Sequence, residues 1–215
     1  MPELALGLKD KYAGLRRLTI EKLPESKIIV DADMLKTIES IANTDEDKKT
    51  KAAAISFLAA KGDEKYSVLF TRNIDDSSYS VAGASLAGLA KSDAGKAYTL
   101  AKNQSIDAKG ALADEVNKIL MTNGTEDDYD FIAGTYNEAV FTLEKLDATE
   151  SFCKYLEKIN DVSKIKKGVG YVLKYRQRIP NAYKIYTESA FKYWLGKLSK
   201  AKGGEVAKYI SDEFK

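Results

Sequence analysis

The stretch SYSVAGASLAGLA, residues 78–90, contains no charged side chain, although 31% of the residues in the chain are charged. At helical spacing one of its faces carries only small side chains, namely Val81, Ala84, Ser85 and Gly88. A glycine inside a helix costs about 1 kcal/mol relative to alanine, and a helix that is apolar on all sides is a buried one. The stretch therefore predicts a buried helix whose small side chains let neighbouring helices approach closely on two sides.

The apolar pattern of this stretch recurs in two earlier segments, as expected for stacked helical pairs. Counted from Asp76, apolar residues stand 5, 8, 10 and 13 positions further on. The same pattern follows Asp10 and Asp47, and a weaker copy that keeps two of the four positions follows Asp107. The repeat predicts a stack of similar helices that begin near these aspartates.

A second, amphipathic helix is predicted after each copy. The apolar stripes of these second helices lie within residues 34–42, 63–74, 94–101 and 132–143. No segment shows sustained β alternation. The sequence therefore predicts an all-α fold, a HEAT-like helical-repeat solenoid of about four helical pairs over residues 1–146.

The helical period continues beyond the repeat, but the repeat pattern does not. Residues 147–215 are predicted to form basic C-terminal helices that pack on the last repeat as a cap, within the same structural unit. Residues 151–215 contain 15 Lys and Arg against 6 Asp and Glu, whereas residues 1–150 are acidic overall. This asymmetry predicts two differently charged surfaces on one body.

The composition excludes several kinds of catalytic site. The chain has no histidine, which removes the commonest general base and the commonest metal ligand. Its single cysteine, Cys153, excludes an internal disulfide and a thiolate metal cluster, and is predicted to be a small buried hydrophobic residue. We predict no catalytic, metal-binding or cofactor-binding residue, although lysine, tyrosine and carboxylate chemistry stays open on composition alone. No signal peptide or membrane-spanning segment is predicted, and the compartment is left open.

A basic segment near the C-terminus is the candidate binding surface. KIKKGVGYVLKYRQR, residues 164–178, mixes aromatic and basic residues, and its cations are Lys164, Lys166, Lys167, Lys174, Arg176 and Arg178. In one interpretation these cations bind phosphate or nucleic acid while rings stack on bases. In the other, the segment is a helix that packs its apolar side inward and leaves its lysines in solvent.

Acidic residues cluster at 43–49 and at 125–130, where helices are predicted to begin. Carboxylates at such positions accept hydrogen bonds from free backbone N–H groups and oppose the helix dipole favourably. Both clusters are therefore interpreted as helix caps.

Several of these segments resemble known proteins. Residues 12–23 and 76–101 resemble HEAT-type helical pairs. The second of these stretches, closed by SDAGKAYTLAK at 92–102, is similar to the C-terminal region of bacterial zinc aminopeptidases of the aminopeptidase N family. SFCKYLEKIND at 151–161 and KKGVGYVLKY at 166–175 resemble the end of the same enzymes.

The resemblance implies a non-catalytic part of such an enzyme. In that family the C-terminal helical domain covers the catalytic domain and helps to enclose the peptide-binding cavity. Zinc is expected in the catalytic domain of the parent enzyme, because the family's zinc-binding histidines and its glutamate-rich exopeptidase motif do not occur in this chain. The implied partners are the catalytic domain of the same polypeptide and peptide substrates, with the six cations facing a peptide carboxylate or the acidic catalytic domain.

Two other functions are kept open. The first is a free-standing HEAT-like scaffold that binds proteins along its surface. The second is a nucleic-acid binder that uses the basic C-terminal helices. Under the family resemblance, neither membranes nor nucleic acids are among the expected partners.

Overall fold

The computed structural model describes residues 2–26, 28–105, 107–138 and 144–214. Within these ranges all regular secondary structure is helical, which confirms the all-α prediction. The α-helices are α1 (Pro2–Gly7), α2 (Ala13–Lys22), α3 (Ala32–Thr44), α4 (Lys48–Lys61), α5 (Ser67–Asn73), α6 (Tyr79–Ser92), α7 (Ala94–Gln104), α8 (Gly110–Asn123), α9 (Tyr129–Glu138), α10 (Glu144–Leu156), α11 (Val162–Arg178), α12 (Asn181–Lys202) and α13 (Gly204–Glu213). No helix among the described residues is long and apolar enough to cross a membrane.

The helices fall into two compact units, Met1–Ile119 and Leu120–Lys215. The first unit holds α1–α7 and most of α8, and the second holds α9–α13. The acidic cluster at 125–130 belongs to the same unit as the basic helix α11, so the charge asymmetry of the sequence does not separate the two units. The predicted division after residue 146 concerns the point where the repeat ends, and it stays a prediction.

Helix α6 contains the uncharged stretch and is the most deeply buried helix segment of the first unit. Its Val81, Leu86 and Leu89 side chains are fully buried, and it packs against α4, α5 and α7. This confirms the prediction of a buried helix between close neighbours.

Two glycines of α6 stand where no side chain fits. A Cβ atom on Gly83 would lie 2.7 Å from the carbonyl oxygen of Ala111, at the start of α8. A Cβ atom on Gly88 would lie 2.9 Å from the ring of Phe70 on α5. Both distances are far below van der Waals contact, so the glycines are required by close helix packing rather than by backbone conformation.

An aspartate closes the turn before three helices of the repeat. Asp10, Asp45 and Asp76 each accept a hydrogen bond from the backbone N–H two residues on, at 2.7, 3.0 and 2.9 Å. Each stands three residues before its helix, α2, α4 or α6. The second copy of the repeat therefore begins at Asp45, and its predicted start at Asp47 is wrong by two positions. Asp47 is the N-cap of α4, and its side chain accepts a hydrogen bond from the Thr50 N–H at 2.8 Å. The sequence alone does not distinguish the two aspartates, because both precede the same helix.

The corrected start changes which positions form the core. The residues 10 and 13 positions after the three aspartates are all buried: Ile20, Leu23, Ile55, Leu58, Leu86 and Leu89. The eighth position, which the sequence also predicts as apolar core, faces solvent in the first copy, where Leu18 is 49% exposed. The fifth position is exposed there as well, where Leu15 is 44% exposed, so only two of the four predicted positions belong to the core in all three copies.

Basic side chains join successive copies through the same aspartates. Arg16 on α2 donates from Nε and Nη2 to the two carboxylate oxygens of Asp45, at 2.8 and 2.9 Å. Lys51 on α4 donates to Asp76 at 3.3 Å, and Lys48 donates to the same carboxylate at 2.9 Å. Arg16 and Lys51 both stand six positions after the aspartate of their own copy, so equivalent bonds tie α2 to the turn before α4, and α4 to the turn before α6.

The second helices follow the amphipathic stripes of the sequence. Met34 and Ile38 on α3 and Ala97 on α7 are buried. Ile132 and Tyr136 on α9 are buried as well, whereas the rest of that predicted stripe, residues 139–143, lies outside the described residues.

Aromatic side chains form much of the core of the second unit. The rings of Tyr136 and Phe152 stack with their centroids 4.2 Å apart, and Phe191 on α12 is fully buried. At the acidic cluster, Thr125 and Asp128 form a capping box, which confirms the interpretation of that cluster as a helix cap.

Substituting Gly83 tests the close approach of α6 to α8. The added Cβ of Gly83→Ala would meet the Ala111 carbonyl oxygen, so we expect the free energy of unfolding in urea to fall by about 1–3 kcal/mol. In Gly196→Ala, on α12, the new Cβ meets no atom within 4 Å, so stability is expected to rise by about 1 kcal/mol through helix propensity. Equal effects of the two substitutions would contradict the packing role of Gly83.

Replacing Arg16 tests the bond between the first two copies. Arg16→Lys removes the bidentate contact with Asp45 and the further bond to the Asp10 carbonyl. The free energy of unfolding is therefore expected to fall by about 1–2 kcal/mol. Arg17→Lys on the same helix is the matched control, because Arg17 lies 3.7 Å from the exposed Glu21 and its replacement is expected to change stability by less than about 0.5 kcal/mol. A similar fall in the free energy of unfolding in both variants would contradict a stabilising role of the Asp45 contact.

Candidate binding surfaces

The structure divides the six predicted cations of α11 into two groups. Lys167, Lys174 and Arg178 are exposed and, with the half-buried Tyr171 between them, follow one face of the helix. We call this face the α11 stripe. On the opposite side Val169 and other apolar residues are buried, as the packing interpretation expects, and the binding of phosphate or nucleic acid stays a prediction.

The other three cations make contacts within the second unit. Lys166 donates to Glu205 at 2.8 Å, and Lys164 lies 3.8 Å from Glu126. Arg176 donates to both carboxylate oxygens of Glu188 on α12, at 2.9 and 2.6 Å, and its guanidinium carbon lies 4.2 Å from the centre of the Phe214 ring. The hydrogen bond from Arg176 lowers the pKa of the Glu188 carboxyl. Lys166 and Arg176 therefore hold α11 to α13 and α12, while the six-cation binding surface stays a prediction, with the α11 stripe as its most exposed part.

A further lysine that sequence reasoning missed lies near this stripe. Lys145 on α10 is 7% exposed, and its amino group lies 4.9 and 5.0 Å from the ring centres of Tyr136 and Tyr175. Burial lowers the pKa of Lys145, and the positive charges of Arg178 and Lys174 lower it further. A single lysine outside the basic segment gives no signal in the sequence, because only folding brings α10 against α11.

The first unit carries a groove along α4 and α6. Its volume is about 450 Å³. Its surface on these two helices consists mainly of small side chains: Ala52, Ala53, Ser56, Ser80, Gly83, Ala84 and Ala87. Together with Lys49 they occupy the positions 4, 7, 8 and 11 residues after Asp45 and Asp76. Equivalent faces of two successive helices thus form one recessed surface, which we call the α4–α6 groove.

Charged side chains of the flanking helices border the α4–α6 groove. Arg17 and Glu21 come from α2, and Glu115 comes from α8, where its side chain is 16% exposed and lies 3.4 Å from Lys118. Lys49 adds a cation at the first turn of α4. The groove therefore has small side chains on its surface and both positive and negative side chains along its border. This arrangement suits a polypeptide better than a single charged group.

Two observations on the described residues concern metal and thiol chemistry. Among these residues no group of three His, Cys, Asp or Glu side chains is placed to hold a metal ion. Cys153 is buried, as predicted, and burial raises the pKa of its thiol to about 12, so the reactive thiolate does not form near neutral pH.

Comparison with known proteins gave no match: no family model, no curated protein and no solved structure is significantly similar to this chain. The likeness to zinc aminopeptidases accordingly rests on the quoted sequence segments alone.

Alanine substitutions separate the structural cation of α11 from the exposed ones. Arg176→Ala leaves Glu188 and Phe214 without their partner and is expected to lower the free energy of unfolding by about 1–3 kcal/mol. Lys174→Ala, two residues away on the same helix, is expected to change it by less than about 0.5 kcal/mol because the side chain is exposed. Urea unfolding followed by circular dichroism measures both, and a larger loss for Lys174→Ala would contradict the division of the cations.

Proposed function

We propose that this chain is a non-catalytic helical-repeat domain that binds a polypeptide surface in the α4–α6 groove. We further propose that the bound surface belongs to the catalytic domain of a zinc aminopeptidase, whose peptide cavity this domain covers and restricts. The observation that carries the proposal is the groove itself, in which equivalent small residues of two successive helices form one recessed face.

The chemistry of the groove supports a protein partner. Small side chains lose little conformational entropy on binding and let a partner backbone approach closely. The mixed charges of Arg17, Lys49 and Glu115 at its border can fix the orientation of a partner that carries charges of both signs. Helical repeats present such extended faces to polypeptides.

The repeat itself supports the HEAT-like part of the proposal. All three copies share the aspartate turn and the two buried apolar positions, and the basic residue at position six of the first and second copies bonds to the aspartate of the next copy. Each copy thus contacts its neighbour through equivalent residues, which is the organisation of a solenoid.

A free-standing protein-binding scaffold is the second candidate, and the same groove favours it. The two candidates differ only in the partner. If the first candidate is right, the catalytic domain of an aminopeptidase binds the groove. If the second is right, other proteins bind it and that catalytic domain does not.

Filling the groove tests the proposed function. The ligand is the catalytic segment of a bacterial aminopeptidase N, prepared without its own helical C-terminal region, and titration calorimetry measures its affinity for this chain. Ala53→Trp and Ala84→Trp place an indole in the groove and are expected to weaken binding at least about tenfold, which is roughly 1.4 kcal/mol. Thr99→Trp, on the exposed face of α7, is the matched control and is expected to bind as the unmodified chain does.

Peptide hydrolysis gives the second measurement of the same experiment. The chain alone, supplied with zinc, is expected to release no product from aminoacyl nitroanilides, while its addition to the catalytic segment is expected to change the preference for peptide length. Hydrolysis by the chain alone would contradict the non-catalytic assignment. Absence of any binding to the catalytic segment would contradict the aminopeptidase partner and favour the scaffold.

A further inference from the structure

The beginning of α12 projects from the second unit. α12 has 22 residues, which corresponds to a length of about 33 Å, and it is longer than α10, α11 and α13. Its buried side chains begin only at Thr187, and all six residues before that point are exposed. Three of the six are large and apolar: Tyr183, Ile185 and Tyr186 are 51%, 79% and 79% exposed. Such a concentration of exposed apolar area on one helix end marks an interaction site.

The chain that leads into this projection is basic. Residues 162–187 include seven Lys and Arg and no Asp or Glu. Three of the seven, Lys164, Lys166 and Arg176, are held in ion pairs inside the unit. Four are exposed and form no ion pair with any described carboxylate: Lys167, Lys174, Arg178 and Lys184.

The basic and apolar groups meet at one end of two adjoining helices. α11 ends at Arg178 and α12 begins at Asn181, so two residues separate the helices, and the Tyr183 N–H donates to the Pro180 carbonyl at 2.9 Å in the first turn of α12. Arg176 near the end of α11 donates to Glu188 of α12, so the end of α11 and the first turns of α12 lie side by side and expose neighbouring surface. We call this surface the α11–α12 corner, with Lys174, Arg178, Tyr183, Lys184, Ile185 and Tyr186 as its members.

We propose that the α11–α12 corner docks an acidic polypeptide segment that also carries apolar side chains. The cations select carboxylates, and the acid of α12, Glu188, is already bound by Arg176. Tyrosine and arginine are the residue types that dominate the energetics of protein interfaces. Ile185 distinguishes a protein partner from a nucleic acid, because an aliphatic side chain gains from apolar contact but does not stack as an aromatic ring does on a base.

This proposal does not rest on the proposed function. The corner lies in the second unit and the α4–α6 groove in the first, so each surface can fail without the other. If the groove variants lose binding to the catalytic segment, binding of the acidic peptide to the corner is expected to stay unchanged. Likewise, the corner variants are expected to keep their binding to the catalytic segment.

Fluorescence anisotropy with a defined probe tests the corner. The probe is a fluorescein-labelled peptide that repeats the sequence Glu-Glu-Leu-Phe, titrated with the full chain. The double variant Lys174→Glu/Arg178→Glu and the double variant Ile185→Ser/Tyr186→Ser are each expected to weaken binding at least about tenfold. Lys200→Glu, an exposed lysine near the other end of α12, is the matched control and is expected to keep the affinity within about twofold. Circular dichroism of all variants confirms that helix content is unchanged.

Two comparison probes decide the chemistry of the partner. Polyglutamate is expected to bind more weakly than the mixed peptide, and its equal affinity would overturn the apolar part of the proposal. Oligothymidylate is also expected to bind more weakly, and tighter binding of this probe would overturn the proposal in favour of a nucleic acid. No binding of the mixed peptide, or equal loss in the Lys200 variant, would overturn the docking site itself.

Discussion

The first unit depends on the close packing of α6 against its neighbours. Gly83 lies against the backbone at the start of α8, and Gly88 lies against the Phe70 ring, so the helix has no room for side chains at these two positions. Because interiors are packed as densely as crystals, such contacts cannot be loosened at one point without disturbing the helices on either side. The lost helix propensity of two glycines is offset by dispersion contacts along the whole of α6.

The same use of small residues links packing to the binding surface. Gly83 both allows α8 to approach and lines the α4–α6 groove, while Ala53 and Ala84 leave its surface without bulk. A helix whose small residues point both to its neighbours and to the surface cannot fill its own groove. The recess is thus a consequence of how the repeat packs, and the bonds of Arg16 and Lys51 to the following turns keep the helices that border it in register.

Sequence reasoning located most helices correctly but misjudged details that depend on partners. The apolar period found α2, α4 and α6, because burial of one helical face leaves a pattern in the sequence. The start of the second copy was assigned to Asp47 because both it and Asp45 are acids before a helix, and only the hydrogen bonds distinguish them. The ion pairs of Lys166 and Arg176 could not be predicted for a related reason, since their acidic partners lie 39 and 12 residues away in the chain.

The sequence by itself determined the helical class, the buried position of residues 78–90 and the absence of histidine chemistry, because these follow from local periodicity and composition. The tertiary structure decided which cations stay exposed, where the groove forms and that Lys145 lies between two tyrosine rings. These features arise from side chains that are distant along the chain, and their pairing depends on helix geometry and on competition between partners. No short segment encodes that competition, so it becomes visible only when the helices are packed.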